Sequence, residues 1–245
     1  GTGTPVLLFG GRRGQIMQID VYDNPAGNYN VAIAGTSGSG KSLLLNEIAA
    51  AYLGTGARVW IIDVGRSYEK ACRNFGGSFI EFTEDAALSL NPFPLVEDID
   101  EDMELLQPLL AQMVSPRESL DGFQYSTLGA AIKKVWKAKG RAMTVTDIHD
   151  RLATGRLDED GAPTAGEGDR RLKDLAAMLH PYTRDGAYGK YFDSEASIDF
   201  GADLIVLELE ELKSKKDLQT VVLLIVMYRI TREMYFSRDR KKIVI

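Results

Sequence analysis

The sequence is poor in cysteine and histidine: Cys72 is the single cysteine, and His149 and His180 are the only histidines. One cysteine cannot form an internal disulfide, which excludes a disulfide-stapled secreted domain and fits a reducing compartment. We interpret Cys72 as a small buried apolar side chain rather than a nucleophile. The two histidines lie far apart in sequence, with no cysteine or carboxylate at ligand spacing, so the pattern indicates no metal site of the zinc type.

Long hydrophobic runs are also missing. The most apolar window, Val221 to Tyr228, meets Arg229 well before the roughly 20 residues that a membrane-spanning helix requires. The first residues do not resemble a signal peptide. We therefore expect any membrane association to depend on partner proteins.

The sequence has no strongly basic segment. The net charge is −6, and the acidic excess lies in residues 98–200, whereas the flanking segments are close to neutral. This distribution does not favour sequence-independent binding of nucleic acid. A cluster of four cations near the end of the sequence is interpreted as a solvated strand entrance rather than a phosphate-binding patch: Arg238, Arg240, Lys241 and Lys242.

What is present is a pattern of buried strands and helices. Asn30–Gly35 ("NVAIAG") predicts a buried strand, "KSLLLNEIAAAYLG" predicts a helix from Lys41 to Gly54, and Arg58–Asp63 ("RVWIID") predicts a second strand. Strand, helix and strand within so short a stretch form a βαβ unit, which predicts a mostly parallel sheet in an α/β fold. Further strands are predicted at Ser78–Phe82, from Ala202, and at "KKIVI", with a deeply packed helix from Leu218 to Tyr235.

The middle of the chain has a different character. Apolar side chains at helical spacing predict three helices, around Leu105–Met113, Leu128–Trp136 and Leu172–Leu179. A polar segment rich in Gly and Asp predicts a flexible loop near 153–169. We therefore divide the chain into residues 1–97 as the first part of an α/β core, 98–200 as an inserted all-α subdomain, and 201–245 as the return of the core.

The stretch "GTSGSGKS" matches the phosphate-binding loop G-x-x-x-x-G-K-[ST]. Glycines allow the backbone to curl so that successive N–H groups face phosphate oxygens, the lysine adds a cation for the β- and γ-phosphates, and the serine hydroxyl can bind Mg²⁺. A Gly/Ser-rich turn is the alternative, but the strand before and the apolar helix after it favour a nucleotide site. The predicted nucleotide-binding residues are Gly35, Thr36, Ser37, Gly38, Ser39, Gly40, Lys41, Ser42 and Leu43, with Lys41 as the catalytic lysine and Ser42 as a metal ligand.

Hydrolysis also needs acidic residues, and two candidates are present. Asp63 ends the strand after the helix and could hold the metal's water shell, or it could simply cap the next turn. Glu208 follows the apolar run "LIVL", and we interpret it as a charged strand end rather than a metal-binding acid. No Asn-Lys-x-Asp segment for reading guanine is present, which favours ATP over GTP.

Several segments together resemble one family: "GRRGQ", "GNYNVAIAGTSGSGKS", "IIDVGRSYEK", "LNPF", "DGAYGKYFD" and "LELEELKSKKDLQTVV". In this order, along nearly the whole chain, they are similar to the conjugative-transfer ATPases of the TraC type. These are the large ATPases of type IV secretion systems, related more distantly to the FtsK/HerA DNA-pumping motors.

The resemblance implies a RecA-like P-loop NTPase core with an inserted helical subdomain, acting on ATP with Mg²⁺. It implies self-assembly, as a hexamer or dimer, at the cytoplasmic face of a bacterial inner membrane. The implied partners are inner-membrane secretion-channel components and the DNA or protein substrates that are moved. By motif match, Gly35, Gly40, Lys41 and Ser42 take the nucleotide-binding roles, and Asp63 occupies the family's acidic position after the strand.

One departure from the family pattern stands out. The metal-binding (Walker B) strand matches "RKKIVI", Arg240–Ile245, but the Asp-Glu pair that should follow is missing. We therefore expect the sequence to be an excerpt that binds Mg²⁺-ATP and hydrolyses it poorly. An arginine acting on a neighbouring subunit's nucleotide cannot be assigned by pattern, and the candidates are Arg12, Arg13 and Arg184.

Three other functions are weighed against this one. A DNA translocase of the FtsK/HerA kind should bind DNA in a salt-sensitive manner. A nucleotide or small-molecule kinase would need basic residues in its lid, and the net acidic charge of residues 98–200 disfavours it. A non-catalytic assembly component would bind ATP without turning it over.

Overall fold

The computed structural model describes residues 6–83, 86, 88–156, 168–193, 198, 200–236 and 239–245. These residues form six strands, β1 Leu7–Gly10, β2 Ile16–Ile19, β3 Arg58–Asp63, β4 Ser78–Glu81, β5 Leu204–Glu208 and β6 Lys242–Val244. They also form seven α-helices, α1 Lys41–Gly54, α2 Glu69–Asn74, α3 Ile99–Val114, α4 Gly122–Lys139, α5 Val145–Ala153, α6 Arg170–Leu179 and α7 Lys216–Phe236.

The chain groups into two compact units. The first contains Gly1–Glu81, Asp199–Glu211 and Ser237–Ile245, and the second contains Phe82–Ile198 and Leu212–Phe236. This grouping places α7 with the other long helices, whereas our division assigns it to the returning core. The division at 97/98 and 200/201 stays a proposal.

The first unit is organised around a parallel four-stranded sheet in the order β4-β5-β3-β6. Its central strands β3 and β5 are continuous apolar runs, as expected of strands covered on both faces. In register, Val59 pairs with Leu204 and Asp63 with Glu208. The parallel sheet of the predicted α/β fold is confirmed.

The strand predicted at Asn30–Gly35 is wrong. This segment carries no strand hydrogen bonding, and Val31 is 61% exposed. An apolar run becomes a buried strand only where it pairs with a neighbouring strand. In the described sheet β6 lies at the edge and pairs with β3 alone, so Asn30–Gly35 is not paired with it. The two alanines of this segment would bury little apolar area, so its sequence pattern alone does not determine whether it forms a strand.

A short antiparallel hairpin precedes this segment and was not predicted. Strands β1 and β2 pair from Leu7 with Ile19 to Gly10 with Ile16. Arg12 and Arg13 lie exposed in the connecting turn. A strand of four residues is hard to predict from sequence, because three or four positions are too few to show an alternation of apolar and polar side chains.

The helical predictions are largely confirmed. The helix from Lys41 to Gly54 is α1, and the three apolar patterns of the middle segment correspond to α3, α4 and α6. The short helix α5 was not predicted, although its buried positions Val145, Ile148 and Leu152 have helical spacing. The predicted loop near 153–169 falls mostly on residues 157–167, which lie outside the described part of the chain.

The second unit is built from helices. Its core includes Leu106 and Leu110 of α3, Leu128 and Ile132 of α4, and Leu175 of α6, all fully buried. The predicted deep packing of α7 holds on one side: a stripe of its residues is buried while Leu224 and Met227 are about two-fifths exposed. No described helix is long and apolar enough to span a membrane.

Candidate nucleotide-binding site

The loop before α1 takes a path that depends on glycine. Gly38 and Gly40 have φ angles of 76° and 89°, in the left-handed region that side-chain-bearing residues rarely adopt. At Gly35 a Cβ atom would lie 2.5 Å from Ser39 Oγ, closer than atoms can approach. The backbone conformation therefore favours glycine at Gly38 and Gly40, and the Ser39 side chain leaves no room for a Cβ at Gly35.

Lys41, the first residue of α1, folds back over this loop. Its Nζ donates to the carbonyl oxygens of Gly35 at 2.6 Å and of Thr36 at 3.0 Å. The amide of Ser39 donates to the same Thr36 oxygen at 3.2 Å, which closes a turn. The lysine ammonium is thus positioned at the loop, as its predicted role requires.

The start of α1 is suited to an anion. Gly40 is the N-cap residue, and no side chain caps the helix among the described residues. The first N–H groups of a helix have no partner within the helix, and the helix dipole adds partial positive charge there. Ser42 and Leu43 are exposed in this first turn, so their N–H groups and the Ser42 hydroxyl are accessible. The loop therefore fits a nucleotide phosphate with its Mg²⁺.

The same end of the sheet carries a row of carboxylates. Helix α1 turns directly into β3, and Ala49 and Tyr52 share a core with Val59 and Ile61. Because a helix that packs beside the following strand runs antiparallel to it, the start of α1 lies at the end where β3 finishes. There the last residues of three neighbouring strands are in register, with Glu208 between Asp63 and Glu81.

Glu208 is a buried anchor for two turns. It is 1% exposed, and its carboxylate accepts hydrogen bonds from the amides of Gly65 (3.2 Å), Arg66 (2.7 Å) and Glu210 (2.8 Å). A buried carboxylate is tolerated when it is satisfied in this way. This agrees with its interpretation as a charged strand end and gives that end a structural task.

Asp63 is half-buried beside it. Its Oδ2 accepts the amide of Ser67 at 2.7 Å, so the turn-capping alternative is realised in the structure. Burial, with a contribution from the neighbouring Glu208 charge, raises the pKa of Asp63 above its ordinary value. Its predicted role toward the metal's water shell remains a proposal.

Arg66 lies at this edge and was missed by sequence reasoning. It has a left-handed backbone, with φ at 56°, and its guanidinium contacts Glu81 at 2.5 Å and Glu69 at 3.7 Å. The buried Glu208 carboxylate holds the Gly65–Arg66 amides and so supports this backbone conformation. The available signal was the strand end followed by "VGR", which favours a tight turn.

The remaining residues singled out by sequence lie elsewhere. Arg184 belongs to the helical unit, whereas Arg12 and Arg13 belong to the hairpin turn. His149 and His180, distant in sequence, pack together with ring centroids 5.8 Å apart. Cys72 is fully buried, as predicted, and burial raises the pKa of its thiol.

A P-loop domain has a parallel sheet and, before one helix, a glycine-rich loop that carries a lysine. The comparison with protein families identifies the family of P-loop domains to which this chain belongs. The model of the TraG P-loop domain matches residues 7–245. The chain is a TraG P-loop domain. This confirms the resemblance to conjugative-transfer ATPases drawn from the sequence.

Among curated proteins, the TraG P-loop domain described here is 32% identical over 237 residues to protein TraC of Escherichia coli (strain K12). The alignment covers 94% of this chain but 26% of that protein. The chain thus spans about a quarter of the length of its curated relative.

Two kinds of solved structure share the fold. VirB4 of Thermoanaerobacter pseudethanolicus superposes with a TM-score of 0.80 at 19% identity, covering all of this chain and 67% of that one. The plasmid coupling protein TrwB, solved in complex with ADP and Mg²⁺, gives a TM-score of 0.52 at 15% identity, covering 85% of this chain and 54% of that one. The TraG P-loop domain therefore has the RecA-like fold predicted for it. The family match and the relationship to TraC do not favour a kinase or an FtsK/HerA-type translocase.

Proposed function

We propose that this domain is the ATP-binding motor segment of a conjugative-transfer ATPase of a type IV secretion system. The observation that carries the proposal is the glycine-curled loop that places Lys41 and the first amides of α1 together. A loop of this construction selects phosphate groups, and the relationship to TraC indicates the kind of machine in which the nucleotide is used.

In the proposed site each residue has a chemical task. Amides from Thr36 to Leu43 would bind the phosphates, Lys41 would neutralise the charge of the terminal phosphates, and the Ser42 hydroxyl would bind Mg²⁺. Mg²⁺, when bound, supplies charge compensation for the phosphate oxygens. Asp63, at the same end of the sheet, would order the water shell of the ion.

The setting in which the motor works is also proposed. The domain would assemble with copies of itself, as a hexamer, at the cytoplasmic face of the bacterial inner membrane. There it would engage secretion-channel components and drive the transfer of DNA or protein substrates and the assembly of the pilus. The TraC relationship supports this setting.

Turnover by residues 1–245 alone is proposed to be poor. Each of the three carboxylates in the row at the carboxyl end of the sheet has another partner. Glu208 is buried and accepts three backbone amides, Asp63 caps a turn, and Glu81 pairs with Arg66, so none of them is placed as a free base for the attacking water. A measured rate near that of the intact protein would show instead that one of these carboxylates is the catalytic acid. Binding without turnover in the intact protein would favour the non-catalytic assembly role.

The test of the function is plasmid transfer between cells. A strain that carries Lys41→Ala in the intact protein should lose transfer while its protein level is unchanged. The matched control is Lys70→Ala, which removes an exposed lysine of the same unit on α2. Transfer at the wild-type frequency in the Lys41→Ala strain would overturn the motor proposal.

A further inference from the structure

Strand β2 is an apolar edge strand that lies in solvent. All four of its residues are exposed, although three of them have large apolar side chains: Ile16 is 73% exposed, Met17 44% and Ile19 42%. Among the described residues, β2 pairs only with β1, in a two-stranded sheet. Edge strands are commonly protected by proline or by charged side chains, and "IMQI" contains neither. The outer edge of β2 therefore has the properties of a site for a further strand.

The backbone of β2 also has groups available for pairing. The hairpin is closed by the amide of Gly11, which donates to the carbonyl oxygen of Gln15 at 2.7 Å. Hydrogen-bonded and non-hydrogen-bonded pairs alternate along an antiparallel ladder, so the next hydrogen-bonded pair contains Met17. The N–H and C=O groups of Ile16 and Gln18 consequently point away from β1, where a third strand would bond to them.

Apolar side chains are exposed on both faces of the hairpin. Residues that lie opposite each other in an antiparallel pair share a face, and the register pairs Phe9 with Met17 and Gly10 with Ile16. Met17 thus lies on the face of Phe9, which packs against the core of the first unit. Ile16 lies on the other face with Leu8, which is 62% exposed. A strand beside β2 should therefore be apolar at successive positions, because both of its faces would meet apolar side chains.

The hairpin is fixed to the nucleotide-binding unit just after β2. The amide of Val21 donates to the hydroxyl of Tyr52 on α1 at 2.7 Å, and that hydroxyl donates to Asp20 at 2.8 Å. Lys241, just before β6, donates to the same Asp20 carboxylate at 2.9 Å. A strand added to β2 would therefore be anchored to α1, the helix that begins with Lys41.

The size of the exposed edge indicates what occupies it. A strand of four residues spans roughly 13 Å, too little to provide the area of about 1,200–2,000 Å² that a stable interface between separate proteins buries. A segment of the same polypeptide needs far less area, because its tether gives it an effective concentration on the order of millimolar. The chain covers 26% of protein TraC, so most of that relative lies outside the matched domain.

We propose that a β-strand from a segment of the intact protein outside residues 1–245 pairs with the outer edge of β2 and extends the hairpin to three strands. The strand bonds to the backbone of Ile16 and Gln18 and covers Ile16, Met17 and Ile19. It thereby attaches another part of the protein to the unit that carries the phosphate loop. The pairing is independent of the proposed ATPase function.

The first test measures methionine oxidation by hydrogen peroxide in the intact protein, residue by residue, by mass spectrometry. Met17 and Met178 of α6 are 44% and 45% exposed, so the two would be oxidised at similar rates if nothing covered β2. With the strand in place, Met17 should be oxidised at least about fivefold more slowly than Met178. Equal rates overturn the inference.

The second test removes the outward N–H group of β2. Gln18→Pro in the intact protein eliminates that donor but no hydrogen bond between β1 and β2, and oxidation of Met17 should rise to the rate of Met178. Gln18→Ala is the matched control, because it keeps the N–H group, and Met17 should stay protected in it. Protection that persists in Gln18→Pro overturns the inference, since Met17 would then be covered without strand pairing.

The third test identifies the occupant. Gln18 is replaced by the photoreactive residue p-benzoylphenylalanine in the purified intact protein, which is then irradiated. The cross-linked product should migrate as a single polypeptide on a denaturing gel, and peptide mapping should join position 18 to a segment outside residues 1–245. A cross-linked dimer, which would indicate a second copy, overturns the inference, as does a link found only within residues 1–245. None of the three readouts depends on nucleotide binding, so they test this pairing separately from the proposed function.

Discussion

Asp63 and Glu208 occupy the same register position at the ends of neighbouring parallel strands, and the two carboxyl groups experience opposite surroundings. Glu208 is buried and accepts three backbone amides, which compensate its charge. Asp63 accepts one amide from Ser67, and burial beside the Glu208 charge raises its pKa. Glu208 therefore stabilises the turn after β3, and the ionisation of Asp63 is disfavoured.

Replacing Glu208 should be costly for folding. Glu208→Ala leaves the amides of Gly65, Arg66 and Glu210 without their acceptor, so the free energy of unfolding should fall by about 3 kcal/mol. Urea denaturation measures the change. Glu211→Ala is the control, because Glu211 is more than half exposed and its contact with Arg66 is 3.9 Å long. It should cost less than about 1 kcal/mol, and equal costs for the two variants would contradict the anchoring role.

The raised pKa of Asp63 predicts a particular pH dependence of stability. Between the ordinary value near 3.8 and the raised value, the folded protein binds more protons at this site than the unfolded chain. Its contribution to stability is thus fully present below pH 3.8 and is lost as the pH rises through the folded pKa. Asp63→Asn keeps an oxygen that can accept from Ser67 and removes the ionisation.

The measurement is the unfolding free energy as a function of pH for the wild type and for Asp63→Asn. The difference between the two curves isolates the contribution of residue 63. The variant should gain stability relative to the wild type as the pH rises from about 4 toward 7. A difference that does not change with pH, or that changes in the other direction, would show that Asp63 is not the perturbed group.

Much of this site could be predicted from the sequence, because the relevant signals are local. The spacing of Gly35, Gly40, Lys41 and Ser42 identifies the loop, and the apolar runs that become β3 and β5 predict the parallel sheet. These features depend on backbone conformation and on burial of continuous stretches, which short windows of sequence report directly.

The features that escaped prediction depend on tertiary context. Asn30–Gly35 has the pattern of a buried strand but lies exposed, since burial depends on neighbours that a local pattern does not encode. The Glu208 anchor requires that β5 lie between β3 and β4, and the Arg184–Asp193 pair requires the loop to close on itself. Residue spacing along the chain carries neither relationship.

The loop that presents Arg184 should not tolerate a side chain at Gly186. In Gly186→Ala the new Cβ would overlap the carbonyl oxygen of His180. The free energy of unfolding should therefore fall by about 2 kcal/mol. Gly122→Ala is the matched control, as a Cβ there has no neighbour within 4 Å at the first residue of α4. Thermal unfolding of both variants tests the prediction, and a Gly186→Ala protein as stable as the control would be inconsistent with the closed loop.

A buried ion pair joins α3 and α7 within the helical unit. Asp102 accepts from Arg232, from the hydroxyl of Tyr228 at 3.1 Å and from the amide of Glu97 at 3.2 Å, and the paired side chains are 9% and 12% exposed. Arg232→Ala should cost about 3 kcal/mol, because it leaves the carboxylate buried without its cation.

Two further variants test the origin of that cost in the same denaturation experiment. The double variant Asp102→Leu/Arg232→Met, which removes both charges, should cost less than Arg232→Ala alone. Arg117→Ala breaks an exposed pair with Asp217 and should cost less than about 1 kcal/mol. A double variant as unstable as Arg232→Ala would attribute the loss to packing rather than to the unpaired charge.

Calorimetric titration of this chain with Mg²⁺-ATP measures whether the loop from Gly35 to Ser42 binds a nucleotide. We expect one binding site per chain. The affinity should be at least about tenfold weaker in Lys41→Ala, because a charge-assisted contact is lost, and unchanged in Lys70→Ala. Equal affinities of the wild type and Lys41→Ala, or no binding by the wild type, would contradict nucleotide binding by this loop.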